Sequence, residues 1–169
     1  MSQSVGSLIK QLTADELPLR IAAAEALCRL GEQAAAAAVA LAVAAGDATE
    51  EVREWAVAAL DDLEAPDATQ CDRLADLVGA PNADTAYWAA TLLGRLGVAA
   101  APASAALGFA LAEHPDVAVR QRAAWALGQI GPPAACAGDA LSAALGSGDE
   151  RLVRLARKAL QRIERPTGA

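Results

Sequence analysis

Aromatic side chains are almost missing from this sequence: three tryptophans, one tyrosine and one phenylalanine make up 3% of its 169 residues. β-Sheets draw on aromatic and β-branched residues for cross-strand packing, so the shortage argues against a sheet-built core. Histidine is scarcer still. His114 stands alone beside Pro115, with no second imidazole to complete a metal site, and is expected to be a solvated loop residue. The three cysteines, Cys28, Cys71 and Cys136, lie 43 and 65 residues apart and form no C-x-x-C pair. That spacing speaks against zinc and dithiol redox chemistry; each is expected to be a small buried hydrophobe on a helix, in a reducing cytoplasm. No G-x-S-x-G or G-x-x-x-x-G-K-[ST] sequence occurs, so nucleophile-elbow and phosphate-loop signatures are lacking, and neither catalysis nor a cofactor is expected. Long apolar runs are absent as well. The longest, 34–45, falls well short of the ~20 residues that cross a bilayer, and residues 1–12 hold no stretch fit for a signal peptide.

What is present is alanine, with leucine and valine behind it, inside a hydrophobic share of 54%. Alanine has the highest helix propensity, and its small side chain lets helix axes approach closely. An all-α fold follows. Its period is visible in Leu27, Leu60, Leu93, Leu127 and Leu160, spaced 33, 33, 34 and 33 residues apart, each followed three positions later by Leu30, Leu63, Leu96, Ile130 or Ile163. Eight positions before the leucines stand Leu19, Val52, Thr85, Val119 and Leu152, and four before them Ala23, Ala56, Ala89, Ala123 and Ala156. Offsets of −8, −4, 0 and +3 trace one helical stripe. Gly31, Gly97 and Gly131 follow the +3 residue, where a left-handed C′ residue ends a helix. Each unit is therefore an A helix (about 15–30, 49–63, 83–96, 116–130 and 149–164), followed in the first four units by a B helix (about 33–45, 67–79, 99–113 and 133–145). The expected organisation is one domain over 1–165, with a capping helix in 1–12, units near 13–46, 47–80, 81–114, 115–147 and 148–165, and a flexible tail at 166–169.

The segment from Asp116 to Gly131, with Asp116, Val119-Arg120, Ala123-Ala124, Ala126-Leu127-Gly128 and Ile130-Gly131, resembles the HEAT repeat, in particular the bacterial HEAT-like repeats of phycobilisome lyase type. Leu19-Arg20 through Gly31 and Val52-Arg53 through Leu63 are similar to it, whereas Ala86 replaces the arginine of the third unit and Arg154 is displaced by one in the fifth. The resemblance implies a right-handed α-α superhelix of about five helix pairs, in which stacking buries stripes that no pair buries alone. It also implies Asp/Arg contacts within and between repeats, here Arg20, Arg53, Asp116, Arg120, Asp149 and Arg154. Glu16, Thr49 and Asp116 stand four residues before Arg20, Arg53 and Arg120, which makes i, i+4 contacts available.

Charge is divided along the chain: residues 1–85 carry 15 acids against 5 bases, and 86–169 carry 6 acids against 9 bases. The acids Asp61, Asp62, Glu64, Asp67, Asp72 and Asp76 fit no EF-hand spacing and are expected to form a solvated face. Arg151, Arg154, Arg157, Lys158, Arg162 and Arg165 are expected to give the last helix a soluble outer face, with head-to-tail self-association, or docking of an acidic partner on the C-terminal end, as the sharper reading. A pI near 4.7 argues against nucleic acid and against a membrane surface as partners.

Protein or peptide is the remaining partner class. Trp55 and Trp88 at offset −5, Tyr87 at −6 and Trp125 at −2 are expected on the outer side of the A helices, where two roles compete. They either fill gaps between alanine-faced helices or form, with Arg122, an aromatic strip of hot-spot residue types. The concave B-helix face, poor in charge, is the other candidate surface, suited to a helix or extended peptide. The expected function is thus a non-catalytic interaction scaffold. The lyase resemblance implies the alternative of a subunit that cradles a tetrapyrrole or its acceptor protein.

Overall fold

Three of the five periods, the first, third and fourth, close as a long helix, a glycine corner and a second helix made in two parts. The computed structural model describes residues 4–164, all of whose regular structure is helical: α1 (Val5–Leu12), α2 (Leu17–Leu30), α3 (Ala38–Ala44), α4 (Glu50–Asp62), α5 (Cys71–Leu77), α6 (Ala83–Leu96), α7 (Ser104–Glu113), α8 (Val117–Ile130), α9 (Gly138–Ala144) and α10 (Glu150–Ile163). The A helices expected from the stripe are α2, α4, α6, α8 and α10. Arg165 and the tail at 166–169 lie outside the described residues.

The corners are made by Gly31, Gly97 and Gly131, with φ of 53°, 57° and 75°. Their φ is positive, as a C′ position demands, but ψ lies between −129° and −143° rather than near the +47° of a left-handed helical residue. Only glycine takes that region without strain. The chain then enters 3₁₀ segments, Gly31–Ala37, Gly97–Ala103 and Pro132–Ala137, before α3, α7 and α9 begin. The B helices are consequently not single α-helices as expected. Ala34 and Ala37, Ala100 and Ala103, and Ala134 and Ala137 are buried pairs, and at three residues per turn an i, i+3 pair shares one face. Pro102 fits such a turn.

Two compact units divide at Gln70/Cys71. In the first, α1 packs on α2 and α2 on α4, around Leu8, Leu27, Leu41, Leu60 and Leu63. Buried Gln70 closes the joint ahead of α3: its Oε1 accepts the Val39 N–H at 3.2 Å and its Nε2 donates to the Ala35 carbonyl at 2.9 Å. Groups left over where 3₁₀ pairing gives way to α pairing are thereby satisfied. Leu19, assigned to the stripe, is instead 42% exposed; Val52, one repeat on, is fully buried.

In the second unit α6 packs on α8 and α8 on α10, with α5, α7 and α9 behind them. The helices meet through small residues. A Cβ on Gly128 would stand 3.2 Å from the Ala159 Cα, and one on Gly108 would stand 3.2 Å from the Ala137 Cβ. Offset +1 of the stripe is therefore a helix contact at Gly94 and Gly128, both buried. The segments Leu17–Ala44 and Ala83–Glu113 are apolar and long enough by composition to cross a membrane. Each is broken at Gly31 or Gly97, and the straight helix in each, α2 or α6, has 14 residues, about 21 Å.

Candidate functional site

The second unit brings three of the five sequence-predicted partner residues into one cleft. Tyr87 comes from α6 and Arg122 and Trp125 from α8; Ala118 and Gln121 of α8 and Arg151 and Leu155 of α10 complete a cavity of about 220 Å³. The Arg122 guanidinium lies 4.5 Å from the Tyr87 ring centre and 5.1 Å from that of Trp125, and it donates a hydrogen bond to the Tyr87 hydroxyl. Both aromatic faces are thus engaged by a resident cation, which holds the guanidinium in one orientation. Such a cleft is not a cage for a ligand's cation. It offers a fixed guanidinium with exposed Arg151 beside it, a pair suited to carboxylates.

Trp125 sits where it does because Gly94 has no side chain. A Cβ there would fall 2.1 Å from Cζ3 of the Trp125 ring. The other two predicted residues stand elsewhere. Trp88, expected on the outer side, is buried to 8% exposure, edge-on to Tyr87 and under the Arg95 guanidinium at 5.8 Å, so offset −5 of α6 is a packing position. Trp55 is half-buried on α4 in the first unit. A residue that the sequence reading passed over is Phe109, 68% exposed on α7. Its signal was its register, for Val43 and Asp76 occupy the equivalent place and are exposed too.

The arginines bind loops rather than the side chains expected of them. Arg20 Nη1 donates to the carbonyls of Ala14 and Asp15 at 3.0 and 3.1 Å, and Arg53 Nη1 to those of Asp47 and Ala48 at 2.8 and 3.0 Å. The expected i, i+4 partners Glu16 and Thr49 are replaced by these carbonyls, because the arginine folds back across the corner that precedes its own helix. Arg20 Nε also donates to Asp47 Oδ2 at 3.1 Å, joining one repeat to the next. Asp47, His114 and Ser147 share one register position, and each accepts the backbone N–H two residues on: Thr49 at 2.8 Å, Asp116 at 3.1 Å and Asp149 at 3.1 Å. His114 is accordingly no solvated residue. It is 7% exposed, and because Nδ1 accepts, Nε2 carries the proton that reaches the Ala80 carbonyl at 3.3 Å. This is the carbonyl that the arginine missing at Ala86 would otherwise serve.

Asp116 caps α8, accepting from the Ala118 and Val119 N–H groups at 2.8 and 3.2 Å. Asp149 caps α10 through the Leu152 N–H at 2.6 Å and accepts from Gln121 Nε2 at 2.9 Å; these bonds hold its carboxyl below the ordinary value. Arg154 makes no ladder contact among the described residues and is exposed on α10 with Arg151, Arg157 and Lys158, whereas Arg162 donates to the Gly128 carbonyl at 3.3 Å. The acidic side chains from Asp61 to Asp76 are exposed, and no cluster of metal-binding groups occurs among the described residues. Cys71 is buried and Cys28 half-buried, and burial raises both thiols above their usual range. Cys136, expected to be buried, is exposed on the outward side of its 3₁₀ segment.

The family model for HEAT repeats matches residues 71–161, more than half of the chain. The chain belongs to the HEAT-repeat family. Solved structures agree on the fold. An engineered protein superposes with a TM-score of 0.64 at 22% identity, over 95% of this chain and 79% of its own. A designed armadillo repeat protein in complex with the peptide (KR)4 does so at 0.64 and 18%, over 95% and 82%. The complex of CpcE and CpcF of phycocyanin lyase from Nostoc sp. PCC7120 matches at 0.63 and 27%, over 97% of this chain and 66% of that one. No curated protein matches the sequence.

Proposed function

We propose that this HEAT-repeat chain is a non-catalytic, cytoplasmic scaffold that binds an acidic segment of a partner protein at the cleft between α6, α8 and α10. The observation that carries the reading is Arg122, clamped by Tyr87 and Trp125 with Arg151 alongside. Pre-ordering a guanidinium before the ligand arrives removes entropy that binding would otherwise have to overcome. The designed armadillo relative is in complex with a basic peptide; two guanidinium groups here call for the opposite charge. The lyase relative is itself a complex of two proteins, which supports a protein as the partner.

The test is fluorescence anisotropy with two labelled peptides, one rich in Asp and Glu and one rich in Lys and Arg, against the wild type, Arg122→Ala and Phe109→Ser. The acidic peptide is expected to bind, to weaken about tenfold on Arg122→Ala, in line with loss of a charge-assisted bond, and to be unaffected by Phe109→Ser. Preferential binding of the basic peptide, lost in Phe109→Ser, would move the site to the B helices and sink the cleft reading.

A second reading, a lyase-like subunit that cradles a tetrapyrrole or its acceptor, is favoured by the 27% identity over nearly the whole chain. Its mark is a change in visible absorbance when the protein is mixed with a bilin; an unchanged spectrum removes it.

A further inference from the structure

The joint between the fourth and fifth repeats is one oxygen short. In the first unit, Asp47 uses Oδ1 for the Thr49 N–H and Oδ2 for Arg20 Nε. Ser147 occupies the same register position, and its single Oγ is taken by the Asp149 N–H. It supplies the counterpart of Oδ1, has no second oxygen in the place of Oδ2 and makes no bond to Arg120 Nε. Arg120, the counterpart of Arg20, is left with a buried Nε–H that has no hydrogen-bond partner. The nearby carboxylate of Asp149 accepts the Leu152 N–H and Gln121 Nε2, both through Oδ1, and makes no bond to Arg120 Nε. A cavity of about 320 Å³ opens beside both residues, lined by Arg120 and Ser147 together with Glu113, Leu152, Ala140 and Ala144.

We propose that this cavity is a carboxylate-binding site, in which an external carboxylate takes the place that Asp47 Oδ2 holds opposite Arg20. The chemistry follows from the donor. A guanidinium N–H withdrawn from water and left unpaired is costly, and an anionic acceptor repays that cost better than a neutral one. The small alanines and Ser147 leave room for the group, and Leu152 gives it a dry wall. The site is separate from the Arg122 cleft and does not depend on the function proposed for it. The carboxylate comes either from a free small anion or from an acidic side chain of a bound protein, and the experiment separates the two.

The experiment follows the Arg120 Nε–H resonance by NMR, assigned with Arg120→Lys, while sodium acetate or a short Asp-containing peptide is added at constant ionic strength. The wild-type resonance is expected to shift saturably, with the peptide at least tenfold tighter than acetate if the natural ligand is a protein side chain and with equal affinity if it is a free anion. Ser147→Asp supplies the missing oxygen from within: its resonance should start at the shifted position and no longer respond. Arg122→Ala, which disables the cleft, should leave the response intact. No shift with either probe overturns the site. So does a response that appears only in Glu113→Ala, which would make Glu113 the resident acceptor. Should Ser147→Asp not fold, the loss of response in Arg120→Lys, checked with a neighbouring amide, decides the question instead.

Discussion

His114 shows how one side chain can take over the work of another at a distance. The third repeat has Ala86 where its neighbours have arginine, and the imidazole of the following loop reaches the carbonyl of Ala80 in its stead while its other nitrogen anchors the Asp116 N–H. Replacing it by alanine strands two backbone groups, and His114→Ala is expected to cost about 1–3 kcal/mol, measured by urea unfolding. A cost near zero would mean that water serves both groups equally well. Asp149 offers a second test at this scale. Its carboxyl is held low by the Leu152 N–H and by Gln121, so its contribution is present above the ordinary carboxylate range and is lost as pH falls through the lowered value. Asparagine keeps the capping acceptor and removes the proton. Melting temperature between about pH 5 and pH 2 should therefore fall less steeply in Asp149→Asn than in the wild type, and parallel curves would contradict this. These residue-level roles were hidden in the sequence, because a lone histidine and a loop serine carry no periodic signal. The shared register of Asp47, His114 and Ser147 was legible only after the repeat had been aligned.

At the scale of elements, the long helices could be read almost to the residue, since a stripe of four offsets repeated five times overdetermines them. The second helix of each pair could not. In the first, third and fourth pairs its 3₁₀ opening follows a corner glycine and carries buried alanines three apart, and both patterns are compatible with an ordinary α-helix when seen as sequence. The outward assignment of tryptophans failed at Trp88 for a related reason: when neighbouring helices present mainly alanine, the contact between them is wide, and a bulky residue at its edge becomes part of it. Gly94 belongs to the same contact. Gly94→Ala pushes a methyl group into the Trp125 ring and is expected to destabilise the fold by about 1–3 kcal/mol through overpacking. Displacement of the ring should also red-shift tryptophan emission and weaken any ligand of the Arg122 cleft. Unchanged emission would show that α6 and α8 separate instead.

For the whole molecule, what the sequence conveyed was the family and the helix order, while the chemistry of its joints came only from the structure. One consequence concerns the order of the repeats. Arg20 bonded to Asp47, the Ala80 carbonyl bonded to His114, and Arg120 Nε left without a bond opposite Ser147 are three different joints built around one register position. Repeats of this chain are consequently keyed parts, not interchangeable bricks. Excising 81–114 would bring Ala80 next to Pro115 and leave the Asp116 N–H without its imidazole, so permuting or deleting modules alters the joints even where every helix survives intact.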